Sequence, residues 1–384
     1  MKLLLFIHSL ASGGAERVLA TLAGAWAERG LRVSVVTLAS ADADFYRLHP
    51  SIERIALDVA GDSANPLEAL WNNGRHITAV RRTLQHCGPD VAIGFMTVAN
   101  ILLALAAARL PGLATVGAER AHPPMQPLGP PWETLRRWSY GRLHAVVAQT
   151  ERSAAWLAAN TAAANIRVIP NPVAWPLAAV PPLVPPDSVG QAGRRRLLAV
   201  GRLVPQKGFD LLIAAFAACV DRFPGWELVI VGEGPARAEL QAQIDMLGLR
   251  ERVLLAGRAG NIGDWYQRAQ VYILSSRYEG MPNALLEAMC HGLPVIGVDC
   301  ETGPREIIRH GADGWLVPPN DAGALAGGMA TLMADEALRQ RLGAGALGVR
   351  HRYSLAAVAA EWASFLADLV ADLGAPRRAH RARP

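Results

Sequence analysis

The sequence predicts an α/β protein of two doubly wound, Rossmann-like domains facing a cleft. Three observations lead there. Short apolar runs of strand length alternate with helix-period segments from end to end, the pattern of parallel sheets with crossover helices. A proline-rich stretch divides that alternation into two sets. The length, 384 residues, suits two domains, each able to bury its own core.

Taken in order, the first set of strand-like runs falls at 2–7, 32–38, 91–96, 114–117 and 144–148. Leu3-Leu4-Leu5-Phe6-Ile7 is strand-length, and Gly13-Gly14 follows where a secretory leader would need a cleavage site, so it reads as a first strand. Segment 91–108 comes nearest to a membrane span, with Thr97 and Asn100 as its clearly polar residues. A strand, a Thr97 cap and a buried helix from Ala99 to Arg109 fit it better, because two short elements with a break do not cross a ~30 Å core. Ile169-Pro170-Asn171-Pro172-Val173 opens the proline-rich stretch, which runs through Pro181-Pro182 and Pro185-Pro186. Prolines remove donors and fix φ, so this is read as a linker. The second set follows at 197–201, 227–232, 252–256, 271–274 and 294–298. The resulting division is an N-terminal domain over 1–173, a linker over 174–193, a C-terminal domain over 194–354 and a basic tail over 374–384.

Composition excludes several classes. Apolar residues make up 51% and charged residues 18%, which describes a globular protein and not a disordered one. The four cysteines (87, 219, 290, 300) form no CxxC pair and read as reduced core residues of a cytoplasmic protein. The net charge of +5 is uneven: residues 1–180 carry +4, residues 181–376 carry −3, and the tail from Arg377 carries +4. The tail reads as a solubilising end; attraction to anionic lipid is the alternative, worth about 1 kcal/mol per basic residue near a surface. No nucleic-acid-binding module is present, so nucleic acid is not an expected partner.

The chemistry concentrates at Arg277-Tyr278-Glu279-Gly280-Met281-Pro282-Asn283-Ala284-Leu285-Leu286-Glu287. The run Val271-Tyr272-Ile273-Leu274 reads as a buried strand, Gly280-Met281-Pro282 breaks it, and Asn283 is placed to cap a helix starting at Ala284. Glu279 then lies on a loop at a strand's carboxyl end and Glu287 one turn into the next helix. That position is where open α/β sheets bind ligands, and the helix terminus favours a phosphate. Carboxylates beside it can accept hydrogen bonds from sugar hydroxyls, so the pattern suggests a sugar attached to a phosphate. The bare spacing of two glutamates eight apart fits a solvated helix face equally well; the order of strand, break and helix is what argues for a site.

Lys207 is a second feature. Of 38 basic residues only Lys2 and Lys207 are lysine, which points to a need for a compact point charge beside Gly208. Arg202 sits at the same strand end, and the two cations fit a diphosphate, or else are ordinary loop charges. Gly232-Glu233-Gly234 is only a GxG followed by Pro235, too little for a dinucleotide fingerprint, and reads as a tight turn lining the ligand cleft. Gly257-Arg258 follows the next strand, with its backbone available to a base. Gly13-Gly14 fits a turn where backbone approaches a ligand closely, or a plain strand-to-helix turn.

The stretch 275–306 resembles the signature of retaining glycosyltransferases of family 4, which have the GT-B fold. Gly13-Gly14-Ala15-Glu16-Arg17, Gly201-Arg202-Leu203-Val204-Pro205-Gln206-Lys207-Gly208 and Val231-Gly232-Glu233-Gly234-Pro235 match the family's order across nearly the whole chain. The resemblance implies that Arg202 and Lys207 hold the diphosphate of a nucleotide sugar and Glu287 the ribose. Glu279 with Gly280, Met281, Pro282, Asn283, Ala284 and Leu285 would hold the donor sugar and distal phosphate. Gly13, Gly14, Gly232, Gly234 and Arg258 would complete the donor site. Glu16, Glu119, Arg120 and His122 would face the acceptor; here Gly117-Ala118-Glu119-Arg120-Ala121-His122 departs from the family's Ser-Glu-Arg-Asn-like stretch, which puts the roles of Ala121 and His122 in doubt. The family's last helix crosses back onto the first domain, and Leu355–Leu373 is the matching candidate.

The implied activity is transfer of a hexose or N-acetylhexosamine from a UDP-sugar, or a GDP-sugar, with retention at the anomeric carbon. The implied acceptor is a glycan, lipid-linked through undecaprenyl diphosphate, as in bacterial enzymes of envelope polysaccharide synthesis. A GT-B epimerase would instead turn over donor without acceptor, and a non-catalytic nucleotide-sugar-binding protein would release no nucleotide. No cofactor and no metal are expected: Asp42-Ala43-Asp44 resembles the metal-binding Asp-x-Asp of glycosyltransferases of the other major fold, but lies far in sequence from the nucleotide motifs. Trp132, Leu135 and Trp138 fall at helical spacing beside Arg136, Arg137 and Arg142. They either pack inside the domain or meet the inner face of the plasma membrane peripherally, and the +4 charge of the first half favours the membrane.

Overall fold

The computed structural model describes residues 1–11, 13–61 and 66–374, so the basic tail from Arg377 lies outside the described residues. The chain divides into two compact units, Met1–Pro172 together with the chain from Leu355 onward, and Val173–Ser354.

The first unit is a seven-stranded parallel sheet of β1 (Lys2–Ile7), β2 (Arg32–Thr37), β3 (Glu53–Ala56), β4 (Val91–Phe95), β5 (Ala114–Ala118), β6 (Ala145–Ala148) and β7 (Ile166–Val168), in the order β3-β2-β1-β4-β5-β6-β7. Both faces are covered, so its central strands are continuously apolar. Leu3, Leu5 and Ile7 of β1 enter one core and Leu4 and Phe6 the other, as the pleat requires. The first core is closed by the helices Gly14–Glu28 and Leu355–Gly374. Val358, Ala359, Trp362, Phe365, Leu366 and Leu369 form the inward stripe of the latter. Trp362 meets Trp26 edge to face at 6.1 Å, and Trp26 Nε1 donates to Ala359 O at 3.3 Å. The C-terminal helix therefore belongs to the first unit.

The second unit is a six-stranded parallel sheet of β8 (Arg195–Val200), β9 (Trp226–Val231), β10 (Val253–Gly257), β11 (Val271–Leu274), β12 (Val295–Val298) and β13 (Trp315–Val317), ordered β10-β9-β8-β11-β12-β13. The order reverses between β8 and β11, which pair through Val271 with Leu197 and Tyr272 with Leu198. That is the topological switch point, and the loops leaving these two strands lie side by side there.

Three differences from the sequence reading have physical causes. Strands β3, β7 and β13 are edges and only partly buried: β3 and β7 lack the apolar runs that mark the inner strands, and β13, though apolar, is three residues long. Thr97 does not cap its helix: Met96 holds that position, and the Thr97 hydroxyl donates to Glu119 Oε1 at 2.6 Å. The segment read as a linker over 174–193 is folded onto the second unit. Gly260 N donates to Pro182 O at 2.7 Å and Asn261 Nδ2 to Val184 O at 3.0 Å. Arg196, fully buried in β8, donates to Val189 O at 2.7 Å while ion-paired at 2.7 Å with Glu227 of β9. Among the described residues no helix is long and apolar enough to cross a membrane.

Candidate active site

The second unit carries the sequence-predicted donor residues on four loops and the helix after the last of them, except Gly13 and Gly14, which lie in the first unit. The loops after β8 and β11 are joined by hydrogen bonds from Arg277 N to Gln206 O (2.8 Å), Gln206 Nε2 to Tyr278 O (3.0 Å) and Ser275 Oγ to Lys207 O (2.8 Å). Arg277 adds an ion pair to Asp210 at 2.6 Å. This lacing brings Lys207 to Glu279. Lys207 Nζ donates to Glu279 Oε1 at 2.6 Å, and Ser276 Oγ donates to the same oxygen at 2.6 Å. Glu279 Oε1 is thus fixed by two donors, while among the described residues no hydrogen bond reaches Oε2. The Thr302 hydroxyl holds the Glu279 carbonyl.

Glycines let these loops touch. Gly232, at φ +152°, lies so close to the β8 loop that an added Cβ would sit 1.8 Å from Gly201 O; a Cβ on Gly234 would sit 2.4 Å from Leu203 O. The GxG is thus a backbone-on-backbone contact between the β8 and β9 loops, and Gly232 N also donates to Gly257 O at 2.8 Å. Gly208, at φ +62°, leaves room for Ser275 O in the same way. Arg202 and Arg258 are both exposed at strand ends.

The helix Asn283–Cys290 follows, and here the expected cap is corrected. Pro282 is the N-cap residue and Asn283 the first helical one; Leu285 N and Leu286 N both point to Pro282 O, at 3.2 and 3.3 Å. Met281 and Leu285 are buried and anchor the turn, while Gly280, Asn283 and Ala284 are partly exposed. Glu287, 5% exposed, is reached by a residue the sequence reading missed: the fully buried Tyr266 donates to Glu287 Oε2 at 3.0 Å. Tyr272, read from the sequence only as part of a buried strand, makes no hydrogen bond to either carboxylate, but its phenol is held well above the usual range by burial and then by Glu279 and Glu287. Ser276 had a visible signal, a hydroxyl at a strand's carboxyl end; Tyr266 and Thr302 had none. Burial pushes the Cys290 and Cys300 thiols beside the site up to about 12, which makes them inert.

In the first unit the acceptor-side residues are mostly buried. Glu119 accepts from Thr97 and, at 2.5 Å, from the Tyr140 hydroxyl, and burial raises its carboxyl above the ordinary range. Arg120 donates to Asn171 Oδ1, and burial brings its guanidinium down to about 9. His122 Nδ1 lies 3.0 Å from Ser153 Oγ. Glu16 folds its carboxylate over the helix N-terminus, where a Cβ on Gly13 would meet it at 2.0 Å, and Gly13 O accepts from Tyr46 at 3.0 Å. Gly14 opens that helix. Asp44 is paired with Arg54 through both oxygens, at 2.7 and 2.8 Å, and among the described residues no acidic, histidine or cysteine cluster could hold a metal. Trp132 and Leu135 pack against the core; Trp138 is 49% exposed, with Arg142 stacked 3.6 Å from its ring.

A profile of glycosyl transferases group 1 matches residues 186–347, and one of Glycosyltransferase Family 4 matches residues 12–174. The amylovoran biosynthesis glycosyltransferase AmsD of Erwinia amylovora is 29% identical over 88% of this chain and 92% of its own. A Campylobacter jejuni enzyme, named as an α-1,4-N-acetyl-D-galactosaminyltransferase acting on a diNAcBac-PP-undecaprenol-linked glycan, is 27% identical over 96% of this chain and 99% of its own. The exopolysaccharide phosphotransferase SCO2592 of Streptomyces coelicolor is 35% identical over 78% of this chain, which spans only 31% of that protein. Among solved structures, sucrose-phosphate synthase from Thermosynechococcus elongatus superposes with a TM-score of 0.82 at 21% identity, covering 97% of this chain and 100% of that one. Anabaena Alr3699/HepE in complex with UDP gives 0.76 at 22%, covering 96% and 100%; at such identities the likeness speaks for the fold. With both profiles, their order and the two switch-point sheets in agreement, the chain belongs to the family 4-type glycosyltransferases of the GT-B fold.

Proposed function

We propose that this glycosyltransferase moves a hexose or N-acetylhexosamine from a UDP-sugar, or a GDP-sugar, onto an undecaprenyl-diphosphate-linked glycan, with retention, in envelope polysaccharide or glycan synthesis. The observation that carries the donor reading is the Lys207–Glu279–Ser276 cluster at the switch point, one loop from Glu287. The Anabaena structures hold UDP, UDP and glucose, and UDP-glucose, and the Campylobacter enzyme's name supplies the acceptor class.

In this reading Glu287 accepts from the ribose hydroxyls and Glu279 Oε2 from the donor sugar. Arg202, Lys207 and the N-terminus of the helix Asn283–Cys290 stabilise the nucleotide diphosphate as it leaves, as preorganised electrostatics. The acceptor attacks the same face, and the leaving phosphate takes its proton. Incubating the protein with UDP- and GDP-sugars and lipid-diphosphate acceptors, and reading nucleotide release, tests this. Release that requires both substrates is expected; release without any acceptor would overturn it.

Activity is expected to survive EDTA, because cationic side chains and a helix terminus take the place of a metal. The engagement of Asp44 with Arg54 supports this. Loss on chelation, restored by Mg²⁺ or Mn²⁺, would return Asp42 and Asp44 to consideration as ligands.

We also place the protein in the cytoplasm, docked on the inner membrane surface through the first unit. Trp138 and Arg142 support this, an amphipathic ring beside a cation, whereas Trp132 and Leu135 are occupied inside. Flotation with anionic liposomes should show binding at low salt that high salt reverses. A protein that stays unbound at low salt, with or without residues 377–384, would favour a soluble acceptor.

A further inference from the structure

The donor reading leaves a question about Glu287: a glutamate has three side-chain torsions, and ordering them costs up to about 2 kcal/mol. The structure holds this one at its carboxylate. Tyr266, in the helix Ile262–Arg268, reaches Glu287 Oε2 at 3.0 Å and Ala284 O at 3.2 Å. A phenol has one proton, and the charged oxygen at the shorter distance is the stronger acceptor. The backbone carbonyl of Glu287 is met by His291 Nδ1 at 2.8 Å, and the His291 ring lies 5.0 Å from that of Tyr266. Tyr272 meets Tyr266 edge to face at 5.9 Å, and Trp175 meets His291 at 4.5 Å under Arg350, 4.0 Å from its ring. Tyr266 is thus packed on more than one side and fully buried, with its hydroxyl on the carboxylate.

We infer that Tyr266 is the positioning residue of the nucleotide site, fixing the Glu287 carboxylate for the ribose hydroxyls; this rests on the assignment of Glu287 to the ribose. A fixed acceptor gains affinity because its rotamers are ordered before the ligand arrives. Trp175, just inside the second unit, closes the stack at its surface end.

The test uses the full chain and two probes, UDP and 2′,3′-dideoxy-UDP, with the guanosine pair run in parallel. Tyr266→Phe keeps the ring and removes the hydroxyl. It should weaken binding of the ribonucleotide about tenfold by calorimetry, raise donor KM more than it lowers kcat, and leave binding of the dideoxy probe unchanged. In a Glu287→Gln background the same change should cost little further, as coupled residues do in a double-mutant cycle. An equal loss with both probes would mean a purely structural tyrosine and overturn the inference. Unchanged ribonucleotide binding in Tyr266→Phe, with Glu287→Gln weakened, would overturn it while the ribose assignment stands. Unchanged binding in Glu287→Gln as well would remove that assignment and the inference with it.

Discussion

Glu279→Ala is expected to lower kcat/KM for transfer by about 10- to 150-fold while the protein stays folded. The range is that of losing hydrogen bonds to a charged group, ~1.5–3 kcal/mol. Glu279 is 7% exposed, and its removal strips the Lys207 ammonium of its counter-ion and Ser276 of its acceptor together. Stability should fall by about 1–3 kcal/mol, because the buried Ser276 hydroxyl loses its acceptor while the Lys207 side chain keeps 21% of its surface in solvent and can rehydrate. Steady-state kinetics alongside a melting curve separates the two effects. Turnover near wild type in a folded variant would remove Glu279 from the active site.

Lys207→Arg should cost on the order of tenfold or more in kcat/KM although the charge is kept. The lysine stem lies along Gly201, whose added Cβ would sit 3.3 Å from both Cδ and Cε. Its head is a single point of contact with Glu279 Oε1. A planar guanidinium is wider and donates as a fork, so it cannot take that path and still meet one oxygen already shared with Ser276. Lys2→Arg is the control, since the Lys2 side chain donates to the Cys87 carbonyl in the first unit. Equal activity in the two variants would make Lys207 an ordinary loop residue.

The inner strands were legible because burial on both faces demands continuous apolar runs, as in Val271-Tyr272-Ile273-Leu274 and Leu3-Leu4-Leu5-Phe6-Ile7. Three of the four edges were not, because a strand such as Glu53–Ala56 or Ile166–Val168 takes its conformation from the neighbour it pairs with; the fourth, Val253–Gly257, carried its own apolar run. Within the site, Glu279 and Glu287 could be placed from the local order of strand, break and helix. The cap could not: Asn283 has the right chemistry, but Met281, buried in the core, carries Pro282 into that position first.

By itself, then, the sequence determined the class of fold, the loops that bear the donor residues and the family, since each is written in local pattern and in motif order. Tertiary structure decided the rest. That Lys207 meets Glu279 across 72 residues, that Tyr266 reaches Glu287 from another helix, that Gly232 clears Gly201 and that the proline-rich segment packs on the second unit are all contacts between distant segments. Such contacts leave no local trace because their energy comes from burial and from partners that only the folded sheet brings within reach.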